Sequence, residues 1–329
     1  MHKPEIIEEW NKWCNAWDSA DHQGKLGISR DYEISYDTAR HWRSDCNIPT
    51  QKKTILPIVS APVVSYPRDN TPTILETPWG MSTAVVVGDY HNPYQDNTVV
   101  QAVDSFLEEL QPDYLFYNGD INDFYQVSVF SKDPSRLGQL QSDIDISTNM
   151  FERHHLMMPF AKKVFIEGTH ENRWFKYLQD KAPAVAMLRS TNITELYRLT
   201  EFDIDYVPFE RGVLVNGTFL ILHGNMVSAH SSYTAKRQHD KNGGSGMCNH
   251  THRGGSYYKT DRFGIYGWWE NFCLCDLHPD WIQNPDWQHG FSVIHFHSDG
   301  RFWVEQIPII EGRFIYGGKI YGGQDEARR

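Results

Sequence analysis

Three short apolar runs, STAVVV, YLFY and KVFI, are each bounded by polar or glycine-bearing residues, which is how buried strands read. Helix-like stretches near 97–110 and 140–158 lie between them. This alternation predicts an α/β sheet. Beyond Val213 the runs GVLV, TFLIL, SYYKT, GIYGWW, FSVIHF and RFWVEQI crowd together, and more antiparallel pairing is expected there. The start of the chain has a different texture. Trp10, Trp13 and Trp17 recur at helical spacing and Ser35 can cap a helix running through ARHWRSD, so residues 1–46 predict a small helical unit. Between the two textures, Pro49, Pro57, Pro62, Pro67, Pro72 and Pro78 deny the chain helix and central-strand hydrogen bonds. The expected organisation is a helical unit over 1–46, an extended linker over 47–80 and an α/β domain over 81–329.

The polar residues of chemical interest follow the apolar runs directly: VVVGDYH, LFYNGDIND, VFIEGTHE, LILHG and MCNHTHR. In open α/β sheets ligands bind beyond the carboxyl ends of the strands, so loops far apart in sequence can converge on one site. A single histidine after a strand is most often structural. Asp89 with His91, Asp120 with Asp123, His170, His223, and His250 with His252 repeat the same placement, which that explanation does not cover. Imidazole mixed with carboxylate suits divalent ions such as Mn²⁺, Fe²⁺ or Zn²⁺, whereas an all-oxygen set favours Mg²⁺ or Ca²⁺. One carboxylate can bridge two such ions and so clamp both oxygens of a phosphoryl displacement. The implied substrate is a phosphate ester.

Composition narrows the setting. At 329 residues the chain can bury a substantial core. It has no apolar run of the ~18 residues a membrane span needs, so no membrane partner is expected. Five cysteines, odd in number, are unlike a secreted disulfide framework, and a reducing, cytoplasmic setting is expected. Cys273 and Cys275 read as buried small hydrophobes rather than thiolate ligands. The formal charge of −11 opposes nonspecific attraction to nucleic acid, so a polyanionic substrate needs local positive charge, which bound ions would supply.

Taken together and in order, Gly88-Asp89-x-His91, Gly119-Asp120-x-x-Asp123, Gly168-Thr169-His170-Glu171, His223-Gly224 and Asn249-His250-Thr251-His252 resemble the motifs of the calcineurin-like metallophosphoesterases. The resemblance spans roughly 83–310, and the stretch from His223 onward is similar in texture to family members carried by bacteriophages, which would place the chain in host cytoplasm. It implies two mixed β-sheets flanked by helices, with a site holding two divalent metal ions. Carried over by position, it puts Asp89, His91 and His252 on one ion and His223 and His250 on the other, with Asp120 between them. It also implies that a hydroxide held by the ions attacks phosphorus while His170, oriented by Asp123, protonates the leaving oxygen or stabilises its charge. An N-cap role for Asp123 before FYQVSVF stands beside that reading. Glu171 is expected to hold its loop, paired with Arg173 or Arg253. Those two arginines flank the site as candidate phosphate ligands. His230, His239, His295 and His297 read as structural.

Two positions depart from the family pattern. Asparagine, which ligates the second ion through its amide oxygen, is replaced by Thr169, a neutral oxygen on a shorter, stiffer stem. Glycine at the head of the last motif is replaced by Asn249, expected to serve because asparagine tolerates positive φ. The segment GKLGISRDYEISYDTARHW also resembles a helix-turn-helix, although 1–46 holds six Lys/Arg against nine Asp/Glu and phosphate contacts normally dominate affinity for DNA. The expected activity is metal-dependent phosphate-ester cleavage, first as a DNA-processing nuclease. A protein or small-molecule phosphatase and a catalytically weak DNA- or partner-binding module are the alternatives. Oligomeric state is left unassigned.

Overall fold

The computed structural model describes residues 7–44, 71–133, 138, 140–209, 211–279 and 282–323. The chain divides into two compact units, 1–69 and 70–329. In the first, α1 (Ile7–Ser19), α2 (His22–Asp31) and α3 (Tyr36–Ser44) bury Trp13, Trp17, Leu26, Tyr36 and Ala39 together. Trp13 and Trp17, one helical turn apart, stack at 5.5 Å. The Asp21 carboxylate accepts from Gly24 N at the start of α2, and Ser35 Oγ accepts from Thr38 N at the start of α3, so both N-termini are capped, the second by the serine expected to do so. Cys14 is disulfide-bonded, whereas Cys248, Cys273 and Cys275 are free and buried; among the described cysteines the reduced state expected from cysteine usage holds for those three and not for Cys14.

The second unit is a sandwich of two six-stranded sheets, the mixed α/β architecture expected. One sheet runs β12 (Phe302–Pro308), β11 (Gly290–His297), β2 (Met81–Val87), β3 (Tyr114–Asn118), β4 (Lys162–Ile166) and β5 (Ile204–Val207). Its β2 to β5 half is parallel; the β2–β3 and β3–β4 crossovers are α4 (Asn97–Leu110) and α5 (Leu140–Met157), the two helices anticipated between the runs. The other sheet runs β1 (Thr73–Leu75), β6 (Val213–Val215), β7 (Phe219–Leu222), β8 (Ser245–Cys248), β10 (Gly264–Asn271) and β9 (Gly254–Asp261). The crowded strands after Val213 pair antiparallel at β6–β7, β9–β10 and β11–β12 but parallel at β7–β8 and β8–β10. Strand β1 lies inside the span expected to be linker and pairs with β6; residues 47–70 of that span lie outside the described residues.

Strand periodicity explains the layers. Successive side chains point to opposite faces, so Ala84 and Val86 join Phe116, Val164 and Ile166 against Val215, Phe219, Ile221 and Met247 of the facing sheet. Val85 and Val87, with Leu115 and Tyr117, turn the other way onto Val99, Val103 and Phe106 of α4 and Phe151 of α5. Being buried on both faces, β2 to β4 need continuous apolar runs rather than alternation. Their carboxyl ends, and those of β7 and β8, release the five polar loops. Among the described residues no helix is long and apolar enough to cross a membrane.

Candidate functional site

The loops after β2, β3, β4, β7 and β8 converge. Asp89, His91, Asp120, His250 and His252 have φ of 51°, 50°, 50°, 77° and 58°. Non-glycine residues in this left-handed region carry a conformational cost, and such residues cluster where function imposes geometry. The turns are fixed by backbone bonds from Asp89 N to Gly119 O and from His91 N to Asp120 O, each 3.0 Å.

Asp120 lies between two donor sets. On one side its Oδ2 is 3.1 Å from His223 Nε2, 3.9 Å from His250 Nδ1 and 3.0 Å from Thr169 Oγ1. Thr169 Oγ1 is also 3.3 Å from His250 Nδ1, so the threonine oxygen stands inside this set. On the other side, His91 Nε2 is 2.9 Å from His252 Nε2 and 3.9 Å from both Asp89 Oδ1 and Asp120 Oδ2, and His252 Nε2 is 3.7 Å from Asp89 Oδ1. Donors about 2.1 Å from a common ion lie roughly 3–3.5 Å from one another, close to this spacing.

Three features fit divalent ions. Asp89 Oδ1 and His223 Nε2 are buried without a hydrogen-bond partner, which is costly unless something else satisfies them. The neighbour of His223 Nε2 is Asp120 Oδ2 at 3.1 Å, a spacing that two ligands of one ion would also have. The charges also need compensation. Burial pushes the Asp89 carboxyl up to about 7. Against burial, the Asp120 carboxylate lifts His223 to about 10. Burial and the neighbouring His91 hold His252 well below its ordinary value. Outer partners orient the donors: His223 Nδ1 contacts Asn118 O at 2.7 Å, and Asp89 Oδ2 accepts from His250 N at 3.0 Å. Such contacts fix which ring nitrogen is available.

His170 lies in the first turn of α6 (Thr169–Lys181). Its backbone N donates to Asp120 Oδ1 at 2.7 Å, and its Nδ1 is 3.1 Å from Asp123 Oδ1 and 2.8 Å from Asp123 O. The same carboxylate oxygen lies 3.2 Å from His91 Nδ1. Asp123 therefore spans two imidazoles and is not an N-cap: the single helical turn that follows, Tyr125–Val127, has Phe124 at its cap position and no side-chain cap bond. Despite burial, which opposes it, Asp120 and Asp123 raise the pKa of His170 and the two histidines lower that of Asp123.

Two sequence expectations need correction. Glu171 pairs with neither arginine; its carboxylate accepts from N–H of Gly168, Asp120, Ile121 and Asn122 at 3.0, 3.0, 2.8 and 3.2 Å, with Tyr197 OH at 3.2 Å. It joins the second and third loops by caging their amides. Asn249 is not at positive φ; His250 and His252 are. Its side chain instead bonds Asn118 Nδ2 at 2.8 Å and Asp89 Oδ2 at 3.1 Å. Cys275 is free and buried, as expected, and in addition its Sγ is 3.8 Å from His252 Nδ1, so that His91, His252 and Cys275 form a further possible donor group. The position of Cys275 soon after the end of β10 was the available signal.

The site opens into a cavity of about 880 Å³ lined by residues that include His170, Arg173, Arg253 and Trp287. Arg173 Nη1 donates to Asp123 O at 2.9 Å, and its Nη2 is 3.0 Å from His170 Nε2. Arg253 donates to Ser228 O and Ala229 O at 2.6 and 3.2 Å, a commitment to the wall rather than a free fork. His239, His295 and His297 contact Gly244 O, Glu305 and Asp299, in keeping with structural roles.

No protein-family profile matches the chain. The chain is 27% identical over 257 residues to the Gene 54 protein of Mycobacterium phage L5, covering 72% of this chain and 97% of that protein. It is 25% identical over 255 residues to the Gene 54 protein of Mycobacterium phage D29, with the same coverage. Among solved structures, wild-type Vps29 complexed with Zn²⁺ from Entamoeba histolytica overlaps with TM-score 0.38 at 10% identity, covering 71% of this chain and 96% of that one. Purple acid phosphatase PPD1 from yellow lupin overlaps with TM-score 0.37 at 11% identity, covering 72% and 53%. Overlaps this distant do not bear on function.

Proposed function

We propose that the chain is a metal-dependent phosphoesterase. The observation that carries this reading is the pair of donor sets around Asp120, with Asp89 Oδ1 and His223 Nε2 buried without a hydrogen-bond partner. Asp89, His91 and His252 would hold one ion, His223, His250 and Thr169 the other, and Asp120 both. When bound, divalent ions supply positive charge to the phosphoryl oxygens and lower the pKa of water. The chain supplies the rest. His170, tethered through Nδ1 to Asp123, turns Nε2 toward the centre, 4.0 Å from Asp120 Oδ2, where it can give a proton to a leaving oxygen. Arg173 already touches that nitrogen, so an incoming phosphate oxygen would compete with His170 for the guanidinium and free Nε2 to take up a proton from solvent. Arg253 shapes the wall.

The nuclease form of this reading rests on the helix pair α2–α3 in the first unit, joined by a turn over 32–35, and on the likeness to phage proteins. Hydrolysis of a chromogenic phosphomonoester and a phosphodiester by the full chain, assayed with Mn²⁺, Co²⁺, Ni²⁺ and Zn²⁺ in turn, tests the wider reading. Absence of turnover with every ion would remove it.

A further inference from the structure

The walls of the cavity speak to what accompanies the phosphate. Trp287 sits against the centre itself, its ring centroid 4.2 Å from that of His252 with the planes at 68°. Phe130, 70% exposed, lines the same cavity, as do Tyr94, Tyr125 and the exposed Ile282. Aromatic faces beside a phosphate subsite are how proteins hold flat bases, because every base has a π-face.

The charges at the mouth point the same way. Asp133, Asp276 and Asp286 are exposed and line the opening. Among the described lining residues the cations are Arg173 and Arg253, and both donate to backbone carbonyls. Lys132 nearby donates to Ser128 O and Phe130 O. A polynucleotide backbone needs a track of available cations beyond the reacting phosphate, and this mouth offers carboxylates. A volume of about 880 Å³ falls in the range of small-molecule sites.

We propose that the substrate is a small phosphate ester carrying a planar aromatic group, of nucleotide size, whose ring packs on Trp287 while one phosphate occupies the histidine–carboxylate centre. This rests on the phosphoesterase reading and deepens it. The test compares binding of thymidine 5′-monophosphate with deoxyribose 5-phosphate by calorimetry on the full, Mn²⁺-loaded chain. In parallel, it compares hydrolysis of thymidine 5′-(4-nitrophenyl phosphate) with methyl 4-nitrophenyl phosphate. The expected result is a preference of about tenfold for the base-bearing compound in each comparison, largely lost in Trp287→Ala and reduced in the exposed variant Phe130→Ala. Equal binding of thymidine 5′-monophosphate and deoxyribose 5-phosphate overturns the proposal, as does a thymidine dodecamer bound far more tightly than the monophosphate with steep salt dependence. A binding preference without hydrolysis of either ester would support the aromatic subsite and reject the phosphoesterase reading.

Discussion

Gly88 and Asn249 are matched to one another across the two sheets. A Cβ on residue 88 would lie 2.8 Å from Asn249 Nδ2 and 3.0 Å from Asn118 O; the bare glycine lets the Asn249 amide pass behind Asp89. Gly88→Ala should therefore cost about 1–3 kcal/mol. Gly88→Ala with Asn249→Gly should cost less than the sum of the single changes, because the principal overlap is gone. Urea denaturation of the three variants checks this, with a coupling energy of about 0.5 kcal/mol or more expected.

Glu171 accepts four backbone N–H bonds in a fully buried position. Glu171→Ala leaves those donors unsatisfied and should destabilise by about 3 kcal/mol or more. Glu171→Gln keeps one carbonyl oxygen and should fall between that variant and the native chain. Retention of native stability by Glu171→Ala would show that the cage is dispensable.

Lys163, 1% exposed, donates to Met158 O and Ala161 O, and burial pushes its pKa from 10.5 down to about 8. Between those values the unfolded chain holds a proton that the folded chain lacks, so this group makes stability rise with pH across the window. The cost of burying the charged form is greatest below pH 8, at about 3 kcal/mol. Relative to Lys163→Met, the native chain should gain about 2 kcal/mol from pH 7.5 to 10. Denaturation at several pH values tests the slope, and parallel curves would contradict it.

Thr169 Oγ1 lies among the second donor set but on a stem one bond shorter than the asparagine of the family pattern. Thr169→Asn should tighten the weaker of two ions by about tenfold, the effect of one well-placed outer or inner ligand. Calorimetric titration with Mn²⁺ resolves this. Two equally tight ions in the native chain and no gain in the variant would make the threonine an adequate ligand or an irrelevant one.

The parallel strands β2, β3 and β4, the two helices between them and the five polar loops could be read in the sequence, because doubly buried strands must be continuously apolar and the loops follow them directly; β5, half-exposed, could not. Other features depended on spatial neighbours. Thr73–Leu75 is too short, and too close to Pro72 and Pro78, to read as a strand, yet it pairs along β6. The partners of Glu171 are backbone amides, which no side-chain pattern reveals. Asn249 resembled a backbone substitute for glycine because its true contacts, Asn118 and Asp89, lie 131 and 160 residues away. Trp287 reaches His252 only through folding, and an isolated tryptophan carries no signal of that.

The central claim is that Asp120 joins two metal-binding sets that act on phosphate esters. Metal content and hydrolysis of bis(4-nitrophenyl) phosphate, measured on the same Mn²⁺-reconstituted full chain and on Asp120→Asn, test it most directly. The account predicts about two ions per native chain with metal-dependent turnover, and loss of both ion occupancy and turnover in the variant. A native chain that binds no ion after reconstitution, or one that hydrolyses the ester equally well without metal, would contradict it.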